Sequence, residues 1–221
     1  MDQNQRVLMD SVEANNLGVG LLVQGKAQRA LSHFSKAIEL LECCVEKPSG
    51  GRTCSDLYST AVVPVEIVGL KDSLPSIYIY NHALFIDYSV FGSPMVGFVE
   101  ICATATFNSA LAIHHMAMVR PVKENSKAAF RAYSICLTLL KNNAGLSSFL
   151  VALETVTKNN MSHVVLHTLA WPIVAWKLLS TLQKNLPVLR NHPSILKGHL
   201  GELILNIHTI SSFVVAAAAV A

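Results

Sequence analysis

The sequence predicts an all-α fold in the main: antiparallel helix pairs stacked into an α-α superhelix, with an irregular, partly extended insertion. Three observations predict it. Apolar residues recur at three- and four-residue spacings over most of the chain. Gly and Pro punctuate that pattern at intervals that suit paired helices rather than long single ones. Hydrophobic residues make up 52% of the chain and charged ones only 14%, against about 25% charged in a typical globular protein. So low a charge content demands burial, either by helices packed on both faces, as in the inner layer of a helical stack, or by contact of some of the chain with a membrane.

Taken in order, the elements read as one domain over residues 1–221. The first hairpin occupies 8–46, with Leu17, Leu21 and Leu22 on its first helix and Ala30, Phe34, Ala37, Ile38 and Leu41 on its second. Gly25 sets the tight turn between them. Lys47-Pro48-Ser49-Gly50-Gly51 closes the hairpin and opens an insertion over 47–95. Within it Val62, Val63, Val65, Ile67, Ile77, Tyr78, Ile79 and Tyr80 are β-branched or aromatic, and Pro64 and Pro75 block long helices. Extended segments, with a β-hairpin among the options, are expected there. Phe91-Gly92-Ser93-Pro94 is a turn. A second hairpin follows over 96–143, divided at Arg120-Pro121 and stopped at Asn142-Asn143-Ala144-Gly145. The third covers 146–186, with Pro172 at the first turn of its second helix and a stop before Pro187. A last helix starts at Ser194, a good N-cap, and runs to about Phe213 in the segment 194–221, which ends in alanines.

Composition also excludes several classes. Seventeen Lys and Arg against fourteen Asp and Glu leave a formal charge of +3, and the basic residues are scattered. No footprint for nucleic acid follows. Five cysteines, Cys43, Cys44, Cys54, Cys102 and Cys136, are odd in number and lack zinc-site spacing. Met1 to Asp10 has no apolar run of signal-peptide length, so a cytoplasmic or nuclear setting is expected. The apolar stretches near 85–107 and 163–182 carry charges, histidines or prolines. Leu203 to Ala221 contains Asn206, His208, Thr209, Ser211 and Ser212 and closes on a run of alanines, which argues against a tail anchor.

The first hairpin carries a resemblance. Leu17-Gly18, Leu21, Gly25, Ala30, Phe34 and Ala37 resemble the tetratricopeptide pattern, with Ala14, Leu21 and Glu42 standing where its Trp, Tyr and terminal Pro belong. A second copy can be set on Leu111-Ala112 and His115, followed by Ala129, Tyr133 and Cys136. A third rests on Asn159-Asn160-Met161-Ser162, which echoes Asn15-Asn16-Leu17-Gly18, followed by Ala175 and Leu179. The copies start much farther apart than the roughly 34 residues of a regular array. With Ile79 to Leu84, Phe107 to His115 and the closing alanines, most of the chain resembles a degenerate tetratricopeptide-like group expanded in unicellular algae. The resemblance implies a helical-repeat fold and no known activity; the concave surface that such stacking creates makes a protein-binding scaffold the expected role.

Catalytic and metal chemistry find no clear home. Gly20 to Lys26 has phosphate-loop spacing, but Ala27 stands where a Ser or Thr should hold magnesium, and the run belongs to the helical stripe. His163 and His167 lie one helical turn apart and His114-His115 could add a ligand, yet a structural metal wants four donors; satisfied core histidines are the simpler reading. No nucleophile elbow or paired carboxylates stand out. The chain is therefore expected to be no enzyme, with no catalytic residue, cofactor or metal.

The resemblance places the concave, partner-facing positions at Val12, Asn15, Val19 and Leu22, at Thr106, Ser109, Ile113 and Met116, and at Val156, Asn159, His163 and Leu166. None carries a fixed charge and most are apolar, so the groove should take an apolar helix or extended segment of a protein or peptide partner. Family members that hold chaperone tails use a Lys and an Asn on the first helix; Asn15 and Val19 stand there, so an acidic tail should not bind. An apolar surface of this extent calls for a cover; Leu203 to Ala221 is the nearest candidate in the chain, and a second subunit or a partner helix is the alternative. A membrane-attached adaptor using that tail is the alternative role.

Overall fold

The computed structural model describes residues 3–42, 62–67, 79–87, 98–143, 148–167, 169, 171–189, 198–199 and 201–209. The expected turns at 47–51 and 91–94, the Ala144-Gly145 stop, the Ser194 cap, Ile77, Tyr78, Cys43, Cys44, Cys54 and the tail after 209 lie outside these residues.

Helix α1, Gln3–Val23, ends in a left-handed glycine cap: Gly25 has φ 74°. Its N–H donates to the Leu22 carbonyl at 2.9 Å, and the Lys26 N–H donates to Leu21 at 2.9 Å. This pair of bonds satisfies carbonyls that the helix end would orphan and turns the chain directly into α2, Ala27–Glu42. The start of α1 is earlier than the apolar stripe implies, because Gln3 to Asp10 contains no breaker and helical backbone needs no apolar face to persist.

The mostly helical architecture continues with α3, Phe98–Val119, α4, Lys123–Asn143, α5, Ser148–His167, α6, Pro172–Leu189, and α7 at residues 201–209. Arg120-Pro121 divides α3 from α4. The Trp171 carbonyl accepts the first bonds of α6, so Pro172 does sit at the first helical position, where its missing donor costs nothing. The stop before Pro187 is corrected: this proline lies in the last turn, and the helix runs two residues past it. The last helix, described over 201–209, begins after Gly198 rather than at Ser194, since Gly198 at φ 87° turns the chain before it; its expected end near Phe213 lies outside the described residues.

From α1 to α6 each helix packs on its sequence neighbours, and α3 also packs on α1 and on α5, which makes these three an inner layer. The small and aromatic residues expected on the second helices are fully buried: Ala30, Phe34 and Ala37 on α2, Ala129, Tyr133 and Cys136 on α4, Ala175 and Leu179 on α6. Leu17, by contrast, is 52% exposed, because α1 buries Ala14, Asn15 and Gly18 instead. Helix α3 is buried on every side, and the Thr104 and Thr106 hydroxyls bond to carbonyls one turn back, which allows polar residues inside it.

The insertion does contain β structure. Strand β1, Val62–Glu66, pairs antiparallel with β2, His82–Ile86, in a register from Val62 opposite Ile86 to Glu66 opposite His82. The Ile67 N–H donates to the Asn81 carbonyl at 2.9 Å, so odd-numbered residues of the two strands exchange the ladder bonds and Pro64 faces Leu84 across a pair that needs none. The missing proline donor is thereby harmless to the sheet.

At Gly18 the backbone of α1 lies close against Phe34 of α2. A Cβ there would stand 2.5 Å from Cε1 of Phe34, whose ring is fully buried. Gly18→Ala gains about 1 kcal/mol of helix propensity but forces this ring out of place. A net loss of about 1–2 kcal/mol is expected in urea denaturation, largely recovered in the double variant with Phe34→Leu.

Candidate functional site: an asparagine-lined groove that holds an extended segment

The inner faces of α1, α3 and α5 form a groove, and residues 79–87 run through it in extended conformation. What holds them is three asparagine side chains, one from each inner helix. On α5, Asn160 Oδ1 accepts from the Tyr80 N–H at 2.8 Å and its Nδ2 donates to the Tyr80 carbonyl at 2.9 Å. On α3, Asn108 does the same for Leu84, at 2.8 and 2.9 Å. On α1, Asn16 does so for Ile86, at 2.9 and 2.7 Å. A carboxamide carries one acceptor and one donor side by side, so it can satisfy both main-chain groups of a single strand residue as a neighbouring strand would. The strand thus has β1 on one edge, through its odd-numbered residues, and asparagines on the other, through Tyr80, Leu84 and Ile86.

The clamps are themselves tied together. Asn108 Nδ2 also donates to Asn15 Oδ1 at 2.9 Å, and Asn15 Nδ2 adds a second bond to the Leu84 carbonyl at 3.1 Å. Asn206 of α7 donates to Asn159 Oδ1 at 2.7 Å. The Tyr133 hydroxyl receives Asn160 Nδ2 at 3.3 Å and lies 3.1 Å from His114 Nδ1, while His114 Nε2 lies 3.2 Å from His163 Nδ1. These side chains are nearly all fully buried, where a satisfied polar network fixes one arrangement and a broken one is costly.

Side chains add the apolar half of the site. Tyr80, Leu84 and Ile86 are fully buried. The Tyr80 ring packs against Phe107, with centroids 6.2 Å apart, and edge-on against His199, 5.5 Å away, next to the glycine turn that leads into α7. His82 stacks near His199 at 4.5 Å.

Of the twelve positions assigned to the groove from the sequence, Val12, Asn15, Val19, Leu22, Thr106, Val156, Asn159 and His163 are buried, and Ser109, Ile113, Met116 and Leu166 are half-buried. Asn15 touches the strand directly, and Asn159 supports the clamp beside it. The three clamping residues themselves, Asn16, Asn108 and Asn160, were not among the twelve. They hold the second place of Asn15-Asn16-Leu17-Gly18, Phe107-Asn108-Ser109-Ala110 and Asn159-Asn160-Met161-Ser162. This sets the second copy two residues earlier than the register that matches Leu111-Ala112 to Leu17-Gly18. An asparagine followed two places later by Gly, Ala or Ser was the signal available for them.

The cover over this surface is corrected in part. Leu203 and Ile207 of α7 do join the core, but residues 79–87 of the insertion lie across the groove itself.

Other chemistry is limited. Gly20 to Val23 are helical and Gly25 caps the helix, so the phosphate-loop spacing has no loop. Burial pushes the Cys136 thiol up to about 12, and burial likewise raises Cys102, so neither is a ready thiolate. Among the described residues no three His, Cys, Asp or Glu side chains converge as a metal site. Nor is any described helix long and apolar enough to cross a membrane. No family model matches the sequence, and no curated protein or solved structure is detectably similar to it.

Proposed function

We propose that the chain is a tetratricopeptide-like scaffold that binds an extended peptide segment of a partner protein in the groove of α1, α3 and α5. The observation that carries this reading is the set of three two-point bonds from Asn16, Asn108 and Asn160 to the main chain of residues 79–87. A side chain that satisfies main-chain groups does not depend on the recipient's sequence, so the same clamps suit any extended segment of matching rise. Stacking of the inner helices supports a repeat array, and the apolar pockets for positions 80, 84 and 86 supply selectivity. An acidic chaperone tail is not the expected ligand: Asn15 is engaged with Leu84, Val19 is buried, and neither supplies positive charge.

The test uses the full chain with Leu84→Gly and Ile86→Gly, which weakens the occupant and leaves the groove unaltered. A synthetic peptide with the sequence of residues 79–87 should bind it one to one with micromolar affinity in calorimetry. Absence of binding by a variant that keeps its helical circular dichroism would overturn the reading.

A further inference from the structure

The occupant of the groove belongs to the insertion rather than to the helix pairs. Helix α2 packs directly on α3, and α4 directly on α5, so the stack is continuous without residues 79–87. The segment is held by the asparagine bonds at Tyr80, Leu84 and Ile86, by the burial of Ile79, Tyr80, Ala83, Leu84 and Ile86, and by the ring contact of His82 with His199. Phe85 points away and is 36% exposed, as is its partner Val63 at 44%. Main-chain recognition at three positions whose side chains are themselves fully buried describes a ligand in its site. It is also a set of contacts that an external segment could reproduce bond for bond.

Resting on the peptide-groove reading, we infer that residues 79–87 are an internal competitor, and that the partner is an extended protein segment that displaces them. The clamp positions define its chemistry. It carries an aromatic residue, then branched aliphatics four and six residues further on, matching Tyr80, Leu84 and Ile86. The aromatic enters the pocket of Phe107 and His199 and meets Asn160; the aliphatics meet Asn108 and Asn16. Asn81 is half-buried with its carbonyl bonded to the Ile67 N–H, Phe85 is exposed, and the equivalent positions tolerate change. The resident strand leaves together with β1, to which it stays paired. Apparent affinity for the partner is lowered by the fraction of time the strand occupies the groove.

The experiment titrates a fluorescently labelled peptide of sequence 79–87 into the intact chain and into the Leu84→Gly, Ile86→Gly chain. Binding at least about tenfold weaker to the intact chain is expected. In the peptide, Tyr80→Ala, Leu84→Ala and Ile86→Ala should each weaken binding roughly tenfold or more, and Asn81→Ala or Phe85→Ala less than about threefold. In the intact chain, hydrogen exchange at the Leu84 and Ile86 amides should accelerate when the peptide is added in excess, a readout that needs no variant to fold. Equal affinity for both chains overturns the competitor role while leaving the groove as a peptide site. A flat substitution profile overturns the stated partner chemistry. Concentration-dependent dimers of the intact chain, exchanging residues 79–87 between copies, would overturn an external partner in favour of a second copy.

Discussion

Asn108→Ala is expected to destabilise the protein by about 2–5 kcal/mol, the largest effect of any single side-chain truncation in the groove. The carboxamide accepts from the Leu84 N–H and donates to the Leu84 carbonyl and to Asn15 Oδ1. Its loss strips the Leu84 N–H of the acceptor that the strand pairing does not supply, and Asn15 Oδ1 of its donor, both in a fully buried site. Each such orphan costs about 1–3 kcal/mol. The Leu84 carbonyl keeps its second bond from Asn15, which keeps the figure from rising further. Urea denaturation gives the number, and a double-mutant cycle with Asn15→Ala should show coupling, because the two side chains share a partner. A change below about 0.5 kcal/mol would mean that water replaces the clamp without cost.

Mild acid should destabilise the protein well before its carboxylates are neutralised. His114 is fully buried among Tyr133, His163 and the adjacent His115, and burial, with a smaller contribution from His115, pushes its pKa from 6.5 down to about 3. Burial likewise lowers His115, and lowers His82 with help from His199. The folded protein therefore keeps His114 neutral while the unfolded chain takes up a proton below pH 6.5. Stability is whole above that value and falls as pH drops from it toward about 3, by about 1.4 kcal/mol per pH unit for one histidine. Between pH 7.5 and 4.5 a loss of roughly 2–3 kcal/mol from His114 alone is expected, read as a lower urea midpoint. His114→Gln should start less stable and lose less over the same range. Equal midpoints at the two pH values would show that the imidazole gains a proton without leaving its place.

The parts of this fold that were legible in the sequence are those set by neighbours close in the chain. Ala30, Phe34 and Ala37, and Ala129, Tyr133 and Cys136, keep the spacing of one helix face, and all six are buried. The β-branched run around Val62 to Val65 lies on a strand for the reason that selects such residues, the room a strand gives to branching at Cβ. The destination of that strand was not legible. Asn160 and Tyr80 are eighty residues apart, and the bonds go to main-chain groups, which every residue has. A side chain that reads a neighbour's backbone leaves no mark on that neighbour's identity, so no pattern in 79–87 announces the asparagines. Burial of Asn15 in place of Leu17 shows the same limit from the other side: apolar periodicity assumes that apolar residues face inward, and here polar groups with an internal partner displace one.

Pro64 has a consequence for growth of the sheet. Because the odd-numbered residues of β1 bond to β2, the even-numbered ones present their main-chain groups on the opposite edge, and in the middle of that edge Pro64 has no hydrogen to offer. Glu66 adds a charge two residues on. A further strand laid along this side would meet a missing donor and the cost of desolvating a carboxylate, so the pair is a poor template for cross-chain stacking and fibre formation. A protein whose chain keeps a removable strand is at risk whenever that strand is out of its groove. The proline lets the two-stranded unit swing free without becoming a seed for aggregation.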